Sequence, residues 1–408
     1  MRSIKEIFVV GNGPSSSHTM GPSKACEYIL KTYPNAKSVL CTLYGSLAST
    51  GKGHLTDYII DLKLKPVPHK VSFDYKTKTK HPNTMIFTTI DADGVKHTDN
   101  IVSIGGGTIV INKEDVVGKD IYPEHYLTDI LKITKAENIS LVEYILRHED
   151  DDILDYIRNV MNVMDNAIKR GVYTEGELPG PLHISRKAPE MFRRFKELSE
   201  HENWKDYNLM MAIGAHATAE ENACGGVICT APTCGSAGVI PGTLGYLFAR
   251  GTPREEIEKG MLVAGLIGMI CKTNGSVSGA EAGCQAEIGV ACAMAAALIA
   301  TAKGYINSKI AQAAEIALEH SLGLTCDPVK GYVQIPCIER CAIYAMKARS
   351  AASLARLIPH RANLVSFDDS VATMYQTGKD MHAGYRETSK DGLSKQLKKR
   401  GYKNVASR

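Results

Sequence analysis

The pattern of apolar and polar positions changes character once, near residue 150. Before it, Cys26, Ile29, Leu30 and Tyr33 recur at i, i+3, i+4 and i+7 and predict a helix just after residue 22. SVLCTLYG (38–45) reads as a strand. TMIFTTI (84–90) faces residues 95–104 across Asp91-Ala92-Asp93-Gly94, a hairpin signal. That hairpin closes on SIGGGT (103–108), whose glycines let another segment approach the backbone closely. Acidic, helical segments follow to about residue 150. Beyond it strand signals nearly vanish, and 151–169, 187–200, 255–272, 279–303, 308–320 and 337–348 all predict helices. Several are rich in Ala and Gly, which permits close helix packing. The expected fold is two domains: an N-terminal α+β domain with antiparallel strands over 1–150, and a larger all-α domain over 151–408.

Composition sharpens this picture in two places. With 408 residues the chain can bury a large core, and a net charge of +4 with interspersed signs points to no nucleic-acid partner. The tail LSKQLKKRGYKNVASR is locally basic and reads as a solvated end. Lys5 and Glu6 interrupt the start before any apolar run, so no signal peptide is expected. The longest uncharged stretch, IGVACAMAAALIATA (288–302), is shorter than the roughly 20 apolar residues of a membrane helix. A soluble, cytoplasmic protein with no membrane partner is therefore expected. The 11 cysteines are odd in number, which argues against a disulfide framework. All but two follow residue 220, and this clustering raises the prospect of metal or cluster ligation.

Candidate chemistry begins with GNGPSSSHTMGP (11–22). Three serines, a histidine and a threonine precede a helix, where free N–H groups and the helix dipole favour an anion. An ordinary N-cap with extra serines is the other reading of the same residues. GSLASTGKGH (45–54) fails the Walker pattern, because five residues separate Gly45 from Gly51 and Gly53 follows Lys52. It reads as a flexible glycine loop that presents His54. Cys224, Cys229 and Cys234 recur with four residues between each, the first choice for a ligand trio on spacing alone, but not a usual zinc or ferredoxin spacing. The adjoining TAPTCGSAG is a candidate site lining. SGAEAGCQAEIG (278–289) places Cys284 and two carboxylates at the start of the apolar helix. CDPVKGYVQIPCIERC (326–341) places Cys326 on a turn, with Cys337 and Cys341 at an electropositive helix start that favours thiolate. Taken singly, each cysteine reads first as a small buried hydrophobe rather than a ligand.

The series as a whole is more specific. GPSSSHTMGP, LYGSLASTGKGH, HPNTM, SIGGGT, EENACGGVICTAPTCGSAGVIPG, SGAEAGCQAEIGVACAMAAA, LGLTCDPVKGYVQIPCIERC and YRETSKDGL occur in that order from about residue 1 to residue 393. Together they closely resemble the iron–sulfur-dependent bacterial L-serine dehydratases (L-serine ammonia-lyases). The resemblance implies a β-type domain followed by an α-type catalytic domain, an oxygen-labile [4Fe–4S] cluster and a homodimer. By motif, the cluster cysteines correspond to Cys284, Cys326 and Cys337, which displaces the trio chosen on spacing. Cys341 stands where the family usually has Asn and is left out. The implied reaction is loss of a Cα proton and hydroxide from L-serine. An open iron acts as Lewis acid on the hydroxyl. His18 and His54 are the candidate bases, and the hydroxyls of Ser15, Ser16, Ser17 and Thr19 hold the carboxylate, with the two domains closing over the substrate. The aminoacrylate released becomes an imine and hydrolyses to pyruvate and ammonia. The Ser-x-Lys-x-Arg pattern of pyridoxal-phosphate dehydratases is absent.

The chain also departs from the family. It has no cysteine after Cys341, whereas some members end in a cysteine that reaches the fourth iron. It lacks an extra regulatory segment of some relatives, and AVNEENA of many members reads ATAEENA (217–223). Two alternatives follow: a dehydratase of a related 2-amino-3-hydroxy acid such as L-threonine, or a non-catalytic iron–sulfur sensor. Retention of both histidine loops argues against the sensor.

Overall fold

Period-two alternation builds the first layer. In the computed structural model, which describes residues 1–112, 119–202, 206–359 and 364–401, strand β2 (Ser38–Tyr44) buries Val39, Cys41 and Leu43 on one face. After β1 (Val10–Asn12), it forms a sheet with β3 (His69–Asp74), β4 (Thr84–Ile90), β5 (Lys96–Gly105) and β6 (Thr108–Ile111). The spatial order is β3-β2-β4-β5-β6. The expected hairpin is present, with Thr84 opposite Val102 and Ile90 opposite Lys96. Helices α1 (Gly21–Thr32) and α3 (Thr56–Leu64) cover the buried face with Cys26, Ile29, Ile59 and Ile60.

Two features of this region differ from the sequence expectation. The pair β2–β3 is parallel, while the other pairings within the sheet are antiparallel. The cause is the helical link between the two strands, since a parallel neighbour needs a crossover. That link holds α3 and also α2 (Gly45–Thr50), so the stretch read as a flexible glycine loop is mostly helical up to residue 50.

The rest is helical. Helices α4 (Leu127–Ala136), α5 (Leu141–His148), α6 (Ile153–Tyr173), α7 (Ala188–Glu202) and α8 (Tyr207–Ala223) come first. After β7 (Val227–Cys229) come α9 (Val239–Ala249), α10 (Arg254–Asn274), the short α11 (Gly279–Ala282) and α12 (Val290–Ala302). The chain continues with α13 (Asn307–Glu319), α14 (Cys337–Leu357), α15 (Phe367–Asp380) and α16 (Gly392–Lys399). Every residue of α12 is buried, with α9, α10, α13 and α14 packed around it. Gly260 permits the closest approach: a Cβ there would lie 2.7 Å from the Leu298 carbonyl oxygen of α12. Gln285–Ala302 is long and apolar enough to cross a membrane by length and composition, yet 94% of it is buried inside the fold, as a core helix.

The chain start and the segment before residue 150 join this helical core. Met1, Ile4, Ile7 and Phe8 pack with Leu127, Ile130, Leu141, Tyr144 and Ile145, in one cluster with Ile153 and Ile157. Strand β1 pairs with β7, Val10 opposite Cys229, which ties the approach to the serine-rich segment onto the helical body. The last seven residues of the basic tail, 402–408, lie outside the described residues.

Candidate active site

The serine-rich segment enters a helix as its composition suggests. Ser15 is extended (φ −139°) and its Oγ accepts from His18 N at 3.3 Å, capping a π-helical turn, Ser16–Met20, that runs straight into α1. Thr19 is fully buried, and its Oγ1 donates to the carbonyls of Asn12 (2.9 Å) and Ser15. The segment leans on ATAEENA. Gly13 N donates to Gly226 O at 3.0 Å, and Asn222 Nδ2 donates to Pro14 O at 3.4 Å. A Cβ on Gly13 would stand 2.3 Å from the Asn222 carbonyl, so this approach requires glycine.

The two histidines meet, with ring centroids 4.5 Å apart. His18 has hydroxyls at both nitrogens: Ser15 Oγ 3.4 Å from Nδ1, and Thr50 Oγ1 and Ser46 Oγ at 2.9 and 3.2 Å from Nε2. His54 Nδ1 lies 3.1 Å from the Thr50 carbonyl oxygen. A carbonyl only accepts, so Nδ1 carries the proton and Nε2 keeps its lone pair. That Nε2 is buried without a hydrogen-bond partner. Burial pushes the His54 imidazole down to about 4. It also pushes His18 well below the ordinary histidine value, helped by the charge His54 would carry. Both rings are neutral near pH 7.

Thiols and carboxylates gather on the helical body. Cys284 follows Gly283, whose φ of +75° ends α11 and turns the chain towards α12. Cys326 is drawn in by a late segment: its N donates to Tyr385 O at 2.8 Å, and Glu387 N donates to its O at 2.7 Å. Cys337 is the first residue of α14. The ligand atoms of Cys284, Glu287 and Cys326 lie within 4.8 Å of one another, a candidate metal-binding group among the described residues. Glu287 accepts from Thr233 Oγ1 at 2.7 Å, and a Cβ on Gly279 would come within 2.5 Å of its Oε2. The hydrogen bond from Cys326 pulls the Cys284 thiol down against its burial, while the same bond and burial push Cys326 up. Burial, then the charges of Cys284 and Glu287, push Cys337 up. Burial raises Glu287 and, with the charge of Glu287, takes Glu387 up to about 8. So many acidic groups beside one guanidinium, Arg340, form a donor set that suits a metal, and its thiols favour a soft or borderline one.

A cleft of about 520 Å³ brings the two groups to one space. Its lining includes Ser15, Ser16 and Ser17 together with Glu287, Cys326 and Cys337. Models of two known protein families match this chain: the serine dehydratase beta chain over residues 3–67 and the serine dehydratase alpha chain over residues 78–394. The chain belongs to the serine dehydratase family. Among its relatives, L-serine dehydratase 2 of Escherichia coli (strain K12) is 37% identical over 97% of this chain and 99% of its own length. L-serine dehydratase of Haemophilus influenzae (strain ATCC 51907 / DSM 11121 / KW20 / Rd) is 38% identical over the same shares. L-serine dehydratase of Streptomyces coelicolor (strain ATCC BAA-471 / A3(2) / M145) is 36% identical over 96% of this chain and 98% of its own.

Within this serine dehydratase cleft the sequence-derived residues divide. Ser15, Ser16, Ser17, Cys326 and Cys337 line it. Cys284 stands behind Cys326, and His18 reaches the lining through Ser15. The Thr19 hydroxyl is spent on backbone carbonyls, so it shapes the loop rather than facing the cleft. Cys224, Cys229 and Cys234 do not converge. Cys224 lies 3.9 Å from Arg186, Cys229 points at the Thr230 carbonyl (3.5 Å), and Cys234 packs on Met20 at the cleft edge. Cys341 sits one turn into α14 with its Sγ 3.4 Å from the Gly235 carbonyl oxygen. Sequence reasoning gave no role to His81, Asn83, Lys272 or Glu387, all of which line the cleft. HPNTM was a signal for the first two. Asn83 Oδ1 is buried without a partner, and Pro82 O accepts from Ser46 N at 2.7 Å, docking this loop on α2.

Proposed function

We propose that this chain converts L-serine to pyruvate and ammonia, with a [4Fe–4S] cluster held by Cys284, Cys326 and Cys337. The observation that carries the reading is that the serine hydroxyls and the thiols line the same cleft. When bound, such a cluster supplies a Lewis-acidic iron for the substrate hydroxyl, otherwise a poor leaving group. Ser15, Ser16 and Ser17 hold the carboxylate at the helix start. The His18–His54 pair takes the Cα proton, and His54 Nε2 is its unengaged lone pair. Thr50 and Ser46 hold His18 in place against it. Loss of proton and hydroxide leaves aminoacrylate, which tautomerises to the imine, and water hydrolyses that to pyruvate and ammonia. The cytoplasmic location and the homodimer belong to this reading, and sedimentation of the native protein measures the second.

Anaerobically reconstituted protein, assayed for pyruvate from L-serine and for 2-oxobutanoate from L-threonine, tests the proposal. Turnover of L-serine is expected to dominate. A brown protein that releases neither product is a sensor rather than an enzyme, and preference for L-threonine reassigns the substrate.

A further inference from the structure

The cleft is electrically lopsided. Its lining carries three carboxylates, Glu281, Glu287 and Glu387, together with the thiols of Cys326 and Cys337. Against them, the lysine and arginine side chains of the lining are Lys272 and Arg2. Lys272 lies in the last turn of α10, where a cation ordinarily needs no explanation beyond the helix dipole. Its surroundings give it one. Its Nζ is 2.8 Å from Glu6 Oε2, and Arg2 Nη1 is 3.2 Å from Oε1 of the same carboxylate. Two cations therefore share one anion, which leaves positive charge in excess at this end.

The same end adjoins the serine-rich helix start. The turn between β5 and β6 runs between them. A Cβ on Gly106 would lie 3.8 Å from Lys272 Nζ, and one on Gly107 would lie 3.2 Å from Met20 Cβ, in the π-helical turn that begins at Ser16. Both glycines have positive φ, +58° and +72°, so the turn stays bare and the lysine passes over it. A zwitterionic amino acid entering the cleft is drawn by its carboxylate towards this cationic end. The serine hydroxyls supply neutral donors for a carboxylate but no charge.

We infer that Lys272 binds the α-carboxylate of the substrate and fixes which end of the amino acid faces the thiols. The inference rests on the L-serine reading and adds to it the residue that selects an α-amino acid over an amino alcohol or amide, which lacks the carboxylate.

The test uses the anaerobic holoenzyme. Lys272→Met should raise KM for L-serine by about 10- to 100-fold, the loss of one charge-assisted hydrogen bond, with kcat held within about threefold. Lys272→Arg should recover most of that rise. L-serinamide, which lacks the carboxylate, should inhibit the wild type and Lys272→Met equally. An unchanged KM in Lys272→Met, or a fall in kcat alone, overturns the assignment, as does an inhibition constant for serinamide that rises in step with KM. If Lys272→Met loses the brown absorbance, Lys272→Gln replaces it under the same criteria. A wild-type protein that makes no pyruvate from L-serine defeats the functional reading instead, a result separable from every variant outcome.

Discussion

The buried histidine pair behind the serine turn and the thiol group of the helical body respond to their surroundings in opposite ways. On the sheet side burial drives protons off His18 and His54. On the helical side the bond with Cys284 and then burial drive protons onto Cys326, and burial drives them onto Cys337, Glu287 and Glu387. Both groups thereby approach neutrality, one stripped of protons and the other, Cys284 apart, loaded with them. A metal reverses only the second, because it displaces protons from thiols and leaves the buried imidazoles untouched. Elimination of water needs this asymmetry: an acceptor for a proton on one side, and a group that takes hydroxide on the other.

The harshest way to break the contrast is to remove the thiols. Cys284→Ala, Cys326→Ala and Cys337→Ala should each abolish the brown absorbance and all detectable pyruvate formation, while Cys229→Ala, in the core beside Thr230, keeps both. Loss of colour in Cys229→Ala with retention in Cys326→Ala would move the metal elsewhere.

Removing the acceptors should be nearly as severe. His54→Ala and His18→Ala should each lower kcat by about 10²–10⁴-fold with the absorbance intact. Exchange of the serine Cα proton in D2O reads the step directly. Exchange that survives in both variants puts the base on another residue.

Acid should act on the same pair through stability. The folded value of His54 is near 4, and its unfolded value is about 6.5. The unfolded chain therefore binds more protons between those limits, so stability is whole above about pH 6.5 and falls as pH drops towards 4. The order of magnitude is ~3 kcal/mol. Thermal unfolding across this range should show a shallower pH slope in His54→Gln, and an identical slope would mean that the ring is not the group titrating.

The smallest expected effect sharpens the comparison rather than breaking it. Thr50→Val removes the hydroxyl 2.9 Å from His18 Nε2 while nearly keeping the side-chain shape. It should cost about 1 kcal/mol of stability and lower kcat about 3- to 10-fold, measured by urea unfolding and steady-state rates.

What the sequence disclosed follows from where the signal is local. The β4–β5 hairpin was legible because its alternation and its Asp-Gly turn lie within one short stretch. Strand β3, with residues only partly buried and no clean alternation, carried no such mark, so its parallel pairing with β2 went unread. Helix α8 is buried on every side from Met211 to Ala223, so it has no polar face to reveal a helical period. The serine turn announced itself by composition. The thiol wall did not. Cys326 reaches Cys284 and Glu287 by pairing with residues 385–387, a contact that spacing cannot encode, and only the resemblance picked out the three cysteines. Glu387 and Lys272 were silent for the same reason: each looks like an ordinary surface charge until the chain is folded around it.

The pairing of Cys326 with residues 385–387 also sets an order of events. Leu393 N donates to Asp327 Oδ2 at 2.6 Å, so the contact is a wrap of chain and not a single touch. A ribosome makes that wrap after every other part of the thiol wall, while the serine turn and its histidines are made near the beginning. The serine turn and its histidines are thus able to fold during synthesis, and the acidic group closes only once the wrap has emerged. On the proposed reading metal loading is a finishing step, and a nascent chain stalled before residue 385 should hold its hairpin and its histidines but bind no iron tightly.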